Sequence, residues 1–350
     1  MSDLLTRLGI DIPIIQAPMG GGPGTPALAA AVSNAGGLGS LAGAYLTPDQ
    51  IRQEVQRTRE LTARPFNVNL FAGGYHRQPD RDSAPMLAVI GEIHELLHLP
   101  PPSLPEVPSD PFDEQVAAVL DLRPHVFSFT FGVPAPEVMH RLRLEGIAIL
   151  GTATTADEAA ILAEAGVDGI VAQGAEAGAH RGTFASSFEA AMIPTLELVR
   201  QIAARTSVPV LASGGIMTGA EIAAALGAGA AAVQLGTAFL ACPEAATSAA
   251  YRKAILNARH DDTVITRAFS GRDARGLRNR FIDSMTGREE LILPFPIQNS
   301  MTRAMRSAAA TLGEAGYLSL WAGTGVDRVR EMPAAELIAT FMNEREKSAG

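Results

Sequence analysis

Short β-branched runs alternate with alanine-rich helical stretches along roughly the first 240 residues. A chain with that rhythm builds parallel strands joined by helical crossovers. Strands are expected at Ile12–Met19, Leu38–Ala42, Phe66–Phe71, Val126–Phe131, Ala148–Thr152, Gly169–Gln173, Val208–Ser213 and Ala232–Gly236. Helices fall between them, at Pro26–Asn34, Pro48–Leu61, Asp113–Leu122, Pro136–Glu145, Ala156–Ala165, Ser187–Arg205 and Gly219–Leu226. Eight strands separated by seven helices is the arithmetic of an α/β fold of the (β/α)8, or TIM barrel, type over residues 1–243. A doubly wound open sheet is the rival; the count and the regular spacing favour closure.

Two segments depart from the repeat. Residues 79–111 are proline-rich (Pro100, Pro101, Pro102, Pro105, Pro108 and Pro111) and read as an insertion between the third strand and its helix. After Pro243 the pattern turns helical and charged, with a break at Pro294 and Pro296. Residues 244–350 are therefore expected to form a smaller helical cap, a substrate domain packed over one face of the barrel.

Composition removes several classes of function. With 47% hydrophobic and 19% charged residues the chain is not disordered. The longest weakly charged stretch, Ile222–Cys242, is interrupted by Gly227, Gly229 and Gly236, so no membrane span is expected. A net charge of −9 argues against nucleic acid as the main partner. The single cysteine, Cys242, fits a reducing compartment, and the start Met1-Ser2-Asp3-Leu4 shows no basic leader, so a cytoplasmic location is expected.

The 34 glycines cluster in loops that follow strands, the end of a barrel that carries active sites. Those loops read Gln16 to Gly22, Asn67-Val68-Asn69, Gln173 to Gly182, Ser213-Gly214-Gly215-Ile216 and Gln234-Leu235-Gly236-Thr237. Gly214 and Gly215 let the backbone approach an anion closely, and Gly236 with Thr237 adds further N–H donors and a hydroxyl, so a phosphate site is expected after strands seven and eight. The plainer reading is that these glycines only turn the chain. Asn69 and Gln173 could serve the polar edge of a flavin ring, and Ala17, Pro18 and Met19 could lie beside its reactive nitrogen. Asn69 could instead be a strand-end cap.

His180 is the most pointed residue, flanked by Gly178 and Gly182 just past the sixth strand. An imidazole there could exchange a proton or sit beside an anion. His76, His94, His98, His125, His140 and His260 have no comparable context. His94-Glu95-Leu96-Leu97-His98 matches a zinc-binding H-E-x-x-H pattern, but Pro100-Pro101-Pro102 follows at once and the segment lies in the insertion. No metal is expected; a zinc hydrolase is the reading that metal analysis and a visible spectrum would separate. Gly37 to Gly43 lacks the spacing of a dinucleotide loop and reads as tight packing at the second strand.

Taken together, these stretches resemble the nitronate monooxygenases, formerly called 2-nitropropane dioxygenases, of the class usually labelled class I. The resemblance rests on Gln16-Ala17-Pro18-Met19, Thr25 to Ser33, Ala35 to Gly39, Asn67 to Phe71, Ser128 to Gly132, Gln173 to Gly182, Ser213 to Ile216 and Gln234 to Thr237. It continues in Gly276-Leu277-Arg278-Asn279 and Leu320-Trp321-Ala322-Gly323, covering about residues 8 to 330. It implies non-covalent FMN held by Asn69, Gln173, Gly178, Gly215 and Gln234 to Thr237, with His180 as the catalytic histidine. It also implies oxidation of alkyl nitronates such as propionate 3-nitronate with O2, by way of a flavin semiquinone, to a carbonyl compound and nitrite or related nitrogen oxides. The expected partners are thus a small anionic nitronate and O2, and a homodimer is admitted.

Three positions depart from the family pattern. Thr130 stands where histidine is common, Phe295 where tyrosine is frequent, and Thr324 where glutamine often occurs. An NAD(P)H-dependent flavin reductase of the same barrel type, acting on a quinone or an enoyl-ACP, is the alternative.

Overall fold

The computed structural model describes residues 3–75, 78–106 and 109–349, so His76 and Pro108 lie outside the described residues. Its strands are β1 (Ile14–Gln16), β2 (Gly39–Ala42), β3 (Phe66–Phe71), β4 (Val126–Thr130), β5 (Ala148–Ala153), β6 (Gly169–Gln173), the two-residue β7 (Ala179–His180), β8 (Val210–Ser213), β9 (Ala232–Leu235), β10 (Thr263–Thr266) and β11 (Ala274–Leu277). Eight of them form one parallel sheet in the order β1-β9-β8-β6-β5-β4-β3-β2. The remaining seam, β1 to β2, is joined by a parallel bridge between Ile15 and Leu38. There Leu38 N–H donates to the Ile14 carbonyl at 3.0 Å and Gln16 N–H to the Leu38 carbonyl at 2.9 Å. The sheet is a closed (β/α)8 barrel.

Prolines trim the elements from what the residue pattern suggests. β1 is short because Pro13 and Pro18 have no N–H to give, and β8 starts after Pro209 for the same reason. The helix expected at Ser187–Arg205 occupies only Thr195–Ala203, with Pro194 at its start, since a proline inside it would break the turn. Threonines set other helix starts. Thr25 accepts from Leu28 N–H ahead of Pro26, and Thr47 with Gln50 makes a capping box before helix Pro48–Leu61.

Period-two alternation positions the site. Looking along β4 to β6, the residues turned into the barrel run from apolar (Val126; Ala148, Leu150; Val171) to polar (Ser128, Thr130; Thr152; Gln173). The apolar inner layer packs with Leu4, Leu5 and Leu8 of the first helix, Asp3–Leu8, which plugs the amino end. The polar layer is left to face the carboxyl end.

Apolar packing sorts the chain into a barrel cluster and a second cluster. The second is built from Phe269, Phe281, Leu293, Ile297 and Met305, together with Met86, Ile90 and Ile93 of helix Ala84–Leu96. The proline-rich insertion thus contributes a helix to the cap core. Helix Ala334–Ala349 returns to the barrel, where Leu337, Ile338 and Phe341 are buried against it. The cap expected to be helical also carries strands: β10 and β11 form an antiparallel hairpin, extended by β7. The β-branched run Thr263-Val264-Ile265-Thr266 is the physical reason. Among the described residues no helix is long and apolar enough to cross a membrane.

Candidate active site

A cavity of about 520 Å³ lies where the carboxyl ends of the barrel strands meet the cap. Ala17, Pro18, Met19, Asn69, Gln173, Gly178, His180, Gly214, Gly215, Gln234, Leu235, Gly236 and Thr237 all border it, so the structure brings together every site residue expected from the sequence. It adds Tyr45, Ser128, Thr130, Thr152, Tyr251 and, from the cap, Asn299, Arg303, Arg306 and Trp321.

The glycines divide into two kinds. Gly214 (φ +134°) and Gly215 (φ +70°) hold backbone conformations that side chains rarely adopt. A Cβ on Gly214 would lie 2.6 Å from Thr195 Oγ1, and one on Gly215 would lie 2.9 Å from Glu176 Cβ. The Glu176 carboxylate accepts from Thr195 N–H at 2.8 Å and from its hydroxyl at 2.7 Å, which fixes the turn from behind. Gly178 serves a different purpose, because a Cβ there would sit 2.5 Å from Gly323 N, and its absence lets the cap touch the His180 loop. Thr237 Oγ1 accepts from Gly323 N–H at 2.9 Å, so its hydroxyl also ties barrel to cap.

The amides are used unequally. Gln173 spends its side chain on the loop: Nε2 donates to the His180 carbonyl at 2.9 Å and Oε1 accepts from Gly182 N–H at 2.7 Å. Asn69, which borders the cavity, donates from Nδ2 to Ser128 Oγ at 2.9 Å. In the Ala17–Met19 segment, Ala17 N–H donates to the Leu235 carbonyl at 2.8 Å and the Met19 carbonyl accepts from Gly24 N–H at 2.9 Å.

His180 stands at the junction of barrel and cap. Its strand β7 pairs with β11, placing His180 opposite Ala274. Nε2 lies 2.8 Å from Ser270 Oγ. Ring centroids of Trp321, Phe131, Phe71 and Phe295 stand 5.6, 6.2, 6.3 and 6.3 Å away. Burial in this aromatic box, helped by the nearby charges of Arg272 and Arg306, holds its pKa down to about 3. The imidazole is therefore neutral at pH 7, and what surface it exposes faces the cavity.

Arg181, its neighbour, does not border the cavity. Its guanidinium donates to the carbonyls of Gly174, Gln173 and Ala191 and so holds the carboxyl end of β6. Arg272 lies with its guanidinium carbon 3.8 Å from the Phe131 ring centre and 4.6 Å from that of Phe295. Thr130 Oγ1 is 3.4 Å from Thr152 Oγ1, Phe295 is buried, and Thr324 N–H donates to the Glu176 carbonyl at 3.0 Å. His94 is buried with Nδ1 2.6 Å from the Pro100 carbonyl, and among the described residues no group of three or more His, Cys, Asp or Glu is placed to hold a metal.

A capped (β/α)8 barrel with glycine turns and a buried histidine at its carboxyl rim defines a barrel enzyme whose chemistry happens under the cap. Comparison with known proteins gives the family. A nitronate monooxygenase family profile matches residues 2–344. A nitronate monooxygenase of Pseudomonas aeruginosa is 45% identical over 98% of this chain and 99% of its own. The solved structure of nitroalkane oxidase from Streptomyces ansochromogenes superposes with a TM-score of 0.90 at 41% identity, covering 99% of each chain. FabK of Thermotoga maritima gives a TM-score of 0.79 at 27% identity over 100% of this chain and 97% of that one. The chain belongs to the nitronate monooxygenase family and is a flavin-dependent oxidoreductase.

Proposed function

We propose that this chain oxidises alkyl nitronates with O2, using FMN on the glycine rim and His180 beside the substrate. The observation that carries the reading is the setting of His180: a neutral imidazole boxed by four aromatic rings, on a cavity whose rim carries the positive-φ Gly214-Gly215 turn. The donor set suits the cofactor. Backbone N–H groups of Gly214, Gly215, Gly236 and Thr237 would take the phosphate, and the amides of Asn69 and Gln234 would meet the ring's polar edge. Once bound, FMN would take electrons from the nitronate and deliver them to O2.

The residues favour a substrate that is already deprotonated. A neutral nitroalkane must lose its α-proton to a ring nitrogen of His180, and an imidazolium is poorly tolerated between aromatic rings and two guanidinium groups. A nitronate needs no such step. Its negative charge also offsets Arg272 and Arg306. With Ser270 donating to Nε2, His180 then offers Nδ1–H as the neutral hydrogen bond that orients the substrate, and the cap keeps bulk water away. The reading divides the chain into a flavin-binding barrel and a substrate cap that includes the helix of the insertion.

The test is nitronate-dependent O2 uptake by the purified yellow protein, with FMN identified after heat release. Uptake with propionate 3-nitronate that far exceeds uptake with 3-nitropropionate is expected. Turnover only when NADH is supplied would favour the reductase.

A further inference from the structure

Among the described residues, the cavity has a cationic wall with no carboxylate to answer it. Arg306 rises from helix Arg303–Leu312 of the cap and borders the cavity. Its Nη2 donates to the Asn299 backbone carbonyl at 2.7 Å and to Asn299 Oδ1 at 3.0 Å. Its Nε is buried and donates to no described residue. The titratable groups acting on it are Tyr45 and Arg303, and neither is a carboxylate. Arg303, three residues earlier on the same helix, stands exposed at the cavity's edge. Tyr45 borders the same cavity, and burial raises its pKa, so the phenol keeps its proton as a donor.

A half-buried guanidinium whose Nε is sealed and unpaired is costly unless an anion meets its charge. Here the protein provides only carbonyl partners and a neighbouring phenol. The missing charge must then come with whatever enters. With Nη2 held by Asn299 and Nε sealed, the guanidinium keeps Nη1 for one oxygen of a planar anion, and a tyrosine O–H on the same cavity is a second donor.

We propose that Arg306, with Tyr45 on the same cavity, forms an anion subsite that takes a planar two-oxygen anion. That anion is either a carboxylate on the substrate's chain or the nitronate group itself. The inference rests on the proposed nitronate oxidation for its substrate, but not for its test.

The probe is propionate, an unreactive carboxylate. Its binding to the flavin-loaded protein is followed by calorimetry and by the emission of Trp321, the chain's single tryptophan, which borders the cavity. Arg306→Gln should weaken propionate binding roughly tenfold or more, Arg306→Lys and Tyr45→Phe less, as expected for charge-assisted bonds. Unchanged affinity in Arg306→Gln overturns the subsite. If that variant fails to retain flavin, Tyr45→Phe and Arg306→Lys carry the test, and affinities equal to the parent's overturn it. Two substrates then separate the sources. A loss of kcat/KM confined to propionate 3-nitronate places the carboxylate at Arg306, and an equal loss with propyl 2-nitronate places the nitronate there. Loss with neither overturns the proposal while leaving nitronate oxidation intact. Arg306-dependent propionate binding in a protein that oxidises no nitronate would sink the reaction and keep the subsite.

Discussion

Nε2 of His180, on the barrel side, meets Oγ of Ser270, on the cap side, at 2.8 Å across 90 residues of sequence. Ser270 Oγ is also 3.2 Å from the Arg272 carbonyl. The serine has one hydrogen to give. If it goes to that carbonyl, the imidazole donates from Nε2 and Nδ1 is its acceptor; if it goes to Nε2, the tautomer is reversed. Ser270→Ala should lower kcat/KM for a nitronate by roughly three- to tenfold, the worth of one hydrogen bond. Its pH profile should move as well. A downward shift marks Nε2 as the donor, and an upward shift marks the serine. Ser270→Thr should restore both, and a profile unmoved in Ser270→Ala would contradict a positioning role.

Gly215→Ala should expel flavin. The position holds φ +70°, and a Cβ would press on Glu176 Cβ at 2.9 Å. Strain of about 1–3 kcal/mol is expected, with the turn displaced. Gly227→Ala, at the end of helix Gly219–Gly227 and off the cavity, is the control, since nothing lies within 4 Å of where its Cβ would sit. Flavin content after gel filtration and the Tm should fall for the first variant and keep the fold intact in the second. Equal retention of flavin by both would contradict the cradle.

Gln173→Leu should loosen the His180 loop rather than merely trim the cavity. It leaves the His180 carbonyl and Gly182 N–H without their side-chain partner. A loss of about 2 kcal/mol is expected from two unmade bonds, together with a lower kcat/KM. The check is the Tm alongside steady-state kinetics; an unchanged Tm would show that the loop holds itself.

Acid should weaken the fold through His180. Its folded pKa is about 3 against an ordinary value of 6.5. Below pH 6.5 the unfolded chain takes up a proton that the folded chain refuses, so this contribution is complete above 6.5 and is lost as pH falls towards 3. The parent's stability should therefore decline more steeply over that window than that of His180→Asn. Parallel declines would mean that the imidazole is not held neutral.

The barrel was legible because eight β-branched runs and their crossover helices announce themselves locally. Its strand ends were less so, because Pro13, Pro18 and Pro209 shorten ladders that apolar runs alone would extend. The thirteen expected site residues lie at strand ends or in the loops around them, and all of them border the cavity. Ser128, Thr130 and Thr152 could have been added by following the inward alternation of β4 and β5. Ser270, Arg306 and Trp321 could not. They belong to a cap whose hairpin and short helices carry no repeat, and only tertiary packing sets Ser270 and Trp321 beside His180 and Arg306 on the cavity. Gln173 and Gly178 were legible as site residues but not as loop clamp and cap contact, since their partners are fixed by three-dimensional proximity.

Anaerobic mixing of the flavin-loaded protein with propionate 3-nitronate in a stopped-flow spectrophotometer tests the central claim most directly. The account predicts rapid loss of the oxidised flavin absorbance with the nitronate, slow or no loss with NADH, and a much slower nitronate phase in His180→Asn. Fast bleaching by NADH with none from the nitronate would contradict it.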